Sequence, residues 1–290
     1  MGRMSIRLIL VLVAFVYANA SNNRVCGEKK IPDSFINEFK EARGAIIQNW
    51  PWTAALFTRV KDNPSRYICG ATLITSRHLL TAAVCVDRGT PTNFTVLLGQ
   101  DNIKLHGSKR QELAVESFKI HEHHKHGSFE NDLAILKLER PVEYSESISP
   151  VCLPYNLLKR NIGAKTAFVT GWGQTTLEGE TSENMLVLQV PIWNQKDCQD
   201  KYERLAVTIN KTMLCAGRPE GGTDACAKDC CSICSCLRYD GFSGSPLVLL
   251  EEDKFSVVGL LSFGYSCGKQ IPTVYTRITE YLDWIEINQQ

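Results

Sequence analysis

Hydrophobic residues come in short, β-rich runs along most of this chain. TAALFTRV, FTVLLG, LAILKL, AFVTGWG, LVLQVPIW, PLVLL, FSVVGLLSF and TVYTRI are separated by clusters of Gly, Pro, Asn and Asp. Short runs between regular turn signals predict the strands of a sandwich or of barrels. Long helical periodicities are absent, which argues against alternating strand–helix units. The two ends depart from the pattern. Arg3 and Arg7 precede an apolar run, Leu8 to Val16, and Ala18-Asn19-Ala20 fits the small-residue cleavage rule. Residues 1–20 therefore read as a signal peptide, since the run is too short to span a bilayer. At the other end Tyr281, Leu282, Trp284 and Ile285 have helical spacing and predict a short amphipathic closing helix. No internal repeat, low-complexity tract or interdomain linker interrupts the chain.

Composition narrows the classes. The chain has 290 residues, 44% of them hydrophobic, and a net charge of +1, which suits one large globular domain or two small ones. No basic concentration points to nucleic acid, and no further stretch is apolar and long enough to cross a membrane. A secreted monomer without a cofactor is expected. Twelve cysteines in an exported chain imply disulfides, and the even number leaves no obligatory free thiol. Asn93-Phe94-Thr95 and Asn210-Lys211-Thr212 are glycan acceptor motifs, whereas Asn63-Pro64-Ser65 is excluded by its proline.

Nine stretches point to one family: WPWTAAL, CGATLITSRHLLTAAVC, NDLAILKLERPV, ISPVCLP, VTGWG, TMLCAG, GGTDAC, GFSGSPLV and TVYTRITEYLDWI. From about Phe35 onward the chain resembles the chymotrypsin-like (trypsin-type) serine proteases, most of all the arthropod haemolymph protease domains of clotting and melanisation cascades. The resemblance implies two six-stranded antiparallel β-barrels with a C-terminal α-helix and a site in the cleft between the barrels. It implies a protease-like domain over residues 36–290 and an N-terminal segment, 21–35, tethered by Cys26. It also implies four disulfides: Cys26–Cys152, Cys69–Cys85, Cys198–Cys215 and Cys226–Cys267.

The chemistry of that family needs a hydroxyl nucleophile, a neutral imidazole to take its proton, and a carboxylate to hold the imidazole. By resemblance the carboxylate is Asp132 in NDLAIL and the hydroxyl is Ser243 in GFSGSP, with Gly241 and Ser243 as the oxyanion-hole positions. The base is missing. The family's stretch ends in His-Cys; here it reads LTAAVC, so Val84 stands in its place. Valine has no lone pair to accept a proton. Loss of a triad base costs on the order of 10⁶ in kcat, about 8 kcal/mol of barrier. Among the other histidines, His78 matches a surface position before a strand. His121, His123, His124 and His126 fall in a variable loop before Asp132, where the run HEHHKH reads as a solvated loop or as a transition-metal site. The resemblance aims none of them at Ser243. Calcium after Gly99 is not expected, because Gln100 stands where related trypsins place a carboxylate.

The activation device is also altered. In the family, cleavage before an Ile-Val-Gly-Gly-like start releases an ammonium that pairs with the aspartate preceding the nucleophile. Here the corresponding start reads Ile36-Asn37-Glu38-Phe39 after Phe35, and the aspartate has become Phe242. Apolar replacement of a buried ion pair is compatible with a stable fold. The specificity pocket is mixed. Asp224 matches the acidic floor that selects Lys or Arg, and Ser262 and Gly264 match its wall, but Thr273 replaces a glycine and directs a side chain toward the pocket.

Between Cys226 and Gly241 lies AKDCCSICSCLRYD, residues 227–240, where the family has about one residue. Cys230, Cys231, Cys234 and Cys236 sit inside it. Three readings stand: an artefact of the gene model, a loop stapled by two extra disulfides, or a Cys₄ metal site, the spacing being unusual for zinc. An alternative local alignment would put Cys230 at the nucleophile position. The chain thus reads as a secreted, catalytically inactive homologue, a protein-binding cofactor or decoy in an extracellular proteolytic or immune cascade. The alternatives are an active endopeptidase cleaving after Lys or Arg, and a structural or storage protein.

Overall fold

The computed structural model describes residues 26–32, 42–58, 66–174, 181–221, 241–264 and 270–290. The signal-peptide region, the Ile36–Phe39 start, Asp224, the Cys226–Cys267 pair and the cysteine-rich insert lie outside the described residues. The strands are β1 Arg43–Gly44, β2 Thr53–Thr58, β3 Arg66–Leu73, β4 His78–Thr81, β5 Phe94–Leu98, β6 Gln111–Ile120 and β7 Ala134–Leu138, followed by β8 Thr166–Gly171, β9 Leu186–Pro191, β10 Met213–Ala216, β11 Pro246–Glu251, β12 Lys254–Phe263 and β13 Thr273–Arg277. Two helices accompany them, α1 Gln195–Glu203 and α2 Leu282–Ile287.

The first half closes into a six-stranded antiparallel barrel in the order β2-β3-β4-β7-β6-β5, with β5 returning to β2. The inward face follows from period-two patterning. In β6, Leu113 and Val115 are buried while Glu112, Ala114 and Glu116 face water. The second half differs from the expected six strands. It is a seven-stranded sheet ordered β1-β9-β8-β11-β12-β13-β10, because the two-residue β1 adds to the edge of β9. A bridge between Ile192 and Ala216, with Trp193 N–H on the Cys215 carbonyl at 2.8 Å, brings the far ends of this sheet together.

Aromatic packing joins the halves. Trp50 and Trp52 from the segment entering β2 are 1% and 0% exposed. The Trp50 ring centroid lies 5.2 Å from Phe168 of β8 and 5.3 Å from Phe255 of β12, and Trp52 lies 5.4 Å from Phe255. Such pairs contribute about 0.5–1.5 kcal/mol each beyond their area burial. Beside them Thr53 and Thr170 hydroxyls share a buried 2.7 Å hydrogen bond from β2 to β8.

Cys26–Cys152, Cys69–Cys85 and Cys198–Cys215 are bonded as expected, with Cα separations of 4.9, 6.2 and 6.1 Å. Each closes a loop whose restriction stabilises by about 2–4 kcal/mol. The closing helix forms as α2, burying Leu282 and Ile285. Helix α1 is an addition to the sequence reading. Only Cys198 and Tyr202, four apart, are buried in it, too few apolar positions for its period to stand out. Among the described residues no helix is long and apolar enough to cross a membrane.

Candidate functional site

Asp132 is the centre from which the site is built. The residue before it, Asn131, has φ +50°, a left-handed conformation that asparagine adopts more readily than most residues. Asn131 is held there by Tyr281 Oη donating to its Oδ1 at 3.0 Å and by its own Nδ2 donating to the His123 carbonyl at 3.2 Å. This turn sends the Asp132 side chain inward, where the residue is 0% exposed. Thr276 Oγ1 donates to its backbone carbonyl at 2.7 Å.

The carboxylate has two named donors. Val84 N–H meets Oδ1 at 2.9 Å, and Ser262 Oγ donates to Oδ2 at 2.5 Å. Ser262, read from the sequence as pocket wall, thus directs its hydroxyl at Asp132. Burial pushes the Asp132 carboxyl up to about 6, opposed by the Ser262 and Val84 bonds, then by the nearby His124 charge, then by Ala83 N–H. Val84 itself lies in a 3₁₀ turn, Ala83–Cys85, fixed by the Cys69–Cys85 disulfide. Its side chain is 3% exposed and packs into the first barrel's core. The backbone therefore still grips the carboxylate, while the side chain supplies nothing that titrates.

Ser243 stands in a tight turn where the barrels meet. Its carbonyl accepts Gly70 N–H of β3 at 2.8 Å, and Ser245 N–H returns to the Phe242 carbonyl at 2.8 Å. Gly244 has φ +75° and donates to the Leu261 carbonyl at 2.7 Å. A Cβ on Gly244 would fall 2.4 Å from Thr81 Oγ1 and 3.2 Å from Ala82 N, so only glycine lets this turn press against the strand leading to Val84. Ser243 is 2% exposed. Gly241 is tied to the first barrel by Tyr67 Oη, which donates to its carbonyl at 3.1 Å.

Phe242 is 0% exposed and belongs to the second barrel's core. Two glycines make room for it. A Cβ on Gly171 would lie 3.0 Å from the Phe242 ring, and one on Gly173 would lie 2.4 Å from it. The VTGWG stretch is thus the seat of an aromatic plug. Ala42, next to the chain start of this domain, packs on the same cluster.

The pocket positions face one another. Thr273 is 4% exposed, and a Cβ on Gly264 would stand 3.6 Å from its Oγ1 and 3.9 Å from its Cγ2. The Thr273 side chain therefore lines the space across from Gly264, leaving room there for a methyl group. Next to Ser262, Phe263 stacks on Phe129 with centroids 4.6 Å apart and planes at 29°.

The histidines are more involved than the sequence suggested. His78 is not a surface residue. It lies 8% exposed on β4, with Nδ1 2.9 Å from Thr75 Oγ1, and burial first, then Lys137 and Arg77, hold its pKa down. It sits three residues before Thr81, roughly 10 Å along the strand at about 3.3 Å per residue. His121 packs on Tyr281 and Trp284 at 5.2 Å from each, and its burial likewise lowers its pKa. The side chain of His124 is 3% exposed, and it approaches Asp87. Sequence reasoning missed Asp87 and this role of His124, because their partnership depends on a loop folding back over the 3₁₀ turn. Among the described residues no group of three or more His, Cys, Asp or Glu could hold a metal ion. The glycan motifs are both surface turns: Asn93 Oδ1 accepts Thr90 N–H at 3.0 Å, and Asn210 Oδ1 accepts Thr212 N–H at 2.9 Å.

A family model described as Trypsin matches residues 41–285. The chain is 35% identical over 273 residues to the proclotting enzyme of Tachypleus tridentatus, an alignment covering 90% of this chain and 68% of that protein. It is 35% identical over 276 residues to Venom serine protease Bi-VSP of Bombus ignitus, covering 92% and 69%. It is 34% identical over 255 residues to tissue-type plasminogen activator of Pongo abelii, covering 85% of this chain and 44% of that protein.

Proposed function

The chain belongs to the trypsin family, and from that premise we propose that it is a secreted pseudoprotease. It binds an extracellular protein, as cofactor or decoy in a proteolytic cascade, without cutting it. One observation carries the reading. Asp132 keeps its two hydrogen-bond donors, but the residue that presents one of them is Val84, whose buried side chain cannot take a proton from Ser243. Three further features support it. Phe242 stands where the resemblance puts the activation aspartate, Thr273 lines the space opposite Gly264 where the family has a glycine, and Ser243 is nearly closed to solvent. The disulfides fit an oxidising compartment, and the likeness to a proclotting enzyme supports a cascade setting.

The second reading, an active trypsin-like endopeptidase, is favoured by the retained Asp132–Ser262 bond and by the glycine-dependent turn at Ser243. A fluorophosphonate probe separates the two. The purified, oxidised protein is expected to remain unlabelled at Ser243 and to leave Arg and Lys amide substrates intact. Stoichiometric labelling, or turnover within a hundredfold of trypsin, would establish the enzyme instead.

A further inference from the structure

A small cavity opens on the second sheet, where segment 160–163 meets the start of α1 and the end of β13. Its volume is about 90 Å³, and Arg160, Asn161, Gln195 and Arg277 bring polar side chains to its lining. Water takes about 30 Å³ per molecule in the liquid, so the space suits a ligand of a few heavy atoms. Arg277 is fixed along one edge. Its Nε donates to the Met213 carbonyl at 3.3 Å, and Nη2 donates to that carbonyl at 3.2 Å and to Gln195 Oε1 at 2.5 Å. Gln195 is itself held, because its Nε2 donates to the Asn210 carbonyl at 2.9 Å. The other end of the guanidinium, Nη1, makes no hydrogen bond among the described residues.

The lining is one-sided in charge and in hydrogen bonding. It contains no carboxylate, and Arg277 forms no ion pair among the described residues. Glu280, the acidic group that acts on it, is paired with Lys211 at 3.7 Å. A half-buried guanidinium stays charged, and leaving it without a counter-ion costs free energy. Arg160 is exposed, and its guanidinium has no hydrogen bond or ion pair among the described residues. The acceptors, by contrast, are engaged. Asn161 Oδ1 takes Gly163 N–H at 2.9 Å, and Gln195 Oε1 takes Arg277. These are the two side-chain acceptors of the lining. The backbone carbonyls of Ile162 and Ile192 take Lys165 and Ala164 N–H. What remains open are donors: Arg277 Nη1, the Arg160 guanidinium and Asn161 Nδ2.

We propose that this cavity binds a sulfate group, held by Arg277 Nη1 and Arg160 as charged donors and by Asn161 Nδ2 as a neutral one. Hydrogen bonds from a guanidinium to an oxyanion are charge-assisted and about twice as strong as neutral ones. Sulfate is fully ionised at neutral pH and only accepts. Phosphate keeps a proton there, and that proton needs an acceptor of its own. With the side-chain acceptors engaged it is left unpaired, which is costly in a confined site, so sulfate is preferred. The free anion and a sulfate ester present the same oxygens to the cavity. The site shares no residue with Asp132, Ser243 or the specificity pocket, so it stands or falls apart from the pseudoprotease reading.

Titration calorimetry of the intact oxidised protein at neutral pH and constant chloride measures the binding of sodium sulfate, sodium phosphate and glucosamine 6-sulfate. Sulfate is expected to saturate one site with a Kd of about 1 mM or tighter, a range open to a ligand of so few atoms. Phosphate should bind about tenfold more weakly, the scale of one unmade hydrogen bond. Tighter binding of glucosamine 6-sulfate than of sulfate would identify an ester as the ligand, and the reverse order the free anion. Arg160→Gln removes a side chain with no partner in the fold, so it should leave urea unfolding unchanged and weaken sulfate about tenfold. Arg277→Gln should abolish binding; if that variant does not fold, Arg160→Gln and the wild type carry the test. In crystals soaked with selenate, the anomalous selenium peak should lie beside Arg277 Nη1. No saturable sulfate binding, phosphate bound as tightly as sulfate, sulfate affinity unchanged in Arg160→Gln, or a selenate peak only elsewhere would overturn the proposal.

Discussion

Replacing Asp132 by asparagine should make this protein more stable at neutral pH. In a working protease a buried carboxylate is compensated by the imidazole it orients. Here no imidazole is bonded to Asp132, and burial lifts its carboxyl from 3.8 to about 6. A carboxyl that is easier to protonate in the folded state favours folding when protonated. That contribution is complete below about 3.8 and lost as pH rises through about 6. Each pKa unit corresponds to about 1.36 kcal/mol, so the ionised Asp132 costs the fold about 3 kcal/mol at pH 7.5. Asparagine imitates the protonated acid. Its Oδ1 can accept Val84 N–H, and its Nδ2 can donate to Ser262 Oγ, a hydroxyl that accepts as well as donates. Asp132→Asn should therefore gain up to about 3 kcal/mol at pH 7.5 and only about 0.5 kcal/mol at pH 4. Urea unfolding followed by tryptophan fluorescence reads this directly, since Trp50, Trp52 and Trp172 are all buried. A variant less stable than wild type at pH 7.5, or a difference that does not change between pH 4 and 8, would refute the reasoning.

Four further outcomes are expected. Val84→His alone should not restore turnover of Arg or Lys substrates, because Phe242 still occupies the activation site; robust activity in that variant would show that Phe242 is no block. Phe242→Ala should cost about 3–5 kcal/mol in urea unfolding, the usual range for a buried phenylalanine, and a loss below 1 kcal/mol would mean that the plug packs loosely. Thr273→Gly should create binding of p-aminobenzamidine, seen by its fluorescence, that the wild type lacks; equal binding by both would place Thr273 outside the pocket. Non-reducing peptide mapping should find Cys226 joined to Cys267 and the four insert cysteines oxidised, with free thiols or bound zinc arguing for a metal site and a missing 227–240 peptide arguing for an artefact.

Much of the fold was legible because its elements are patterned by burial. The eight apolar runs became β2, β5, β7, β8, β9, β11, β12 and β13. The strands absent from that reading fail the pattern for local reasons. β1, β4 and β10 are only two, four and four residues long, β6 alternates with charged residues rather than forming an apolar run, and β3 opens on the exposed Arg66 and is divided by Gly70. Motif order located Val84, Asp132 and Ser243, since those stretches keep their spacing to glycines and cysteines. What the sequence could not reveal is where side chains without a motif go. Ser262 reached Asp132 across 130 positions, and Asp87 met His126 across 39. Nothing in the HEHHKH run separates His124, buried and directed at Asp87, from its solvent-facing neighbour His123.

The seat of Phe242 has a consequence for the history of the chain. An aspartate at this position would enter a pocket of glycine backbone and apolar side chains, and a buried charge left unpaired there costs several kcal/mol. A regenerated ammonium would likewise arrive where an aromatic ring already fills the space. Neither step is tolerable first. With the ring seated over Gly171 and Gly173, putting an ion pair there requires two simultaneous changes. Under the proposed function the plug would act as a ratchet, holding the activation pair open while leaving the double-barrelled framework sound.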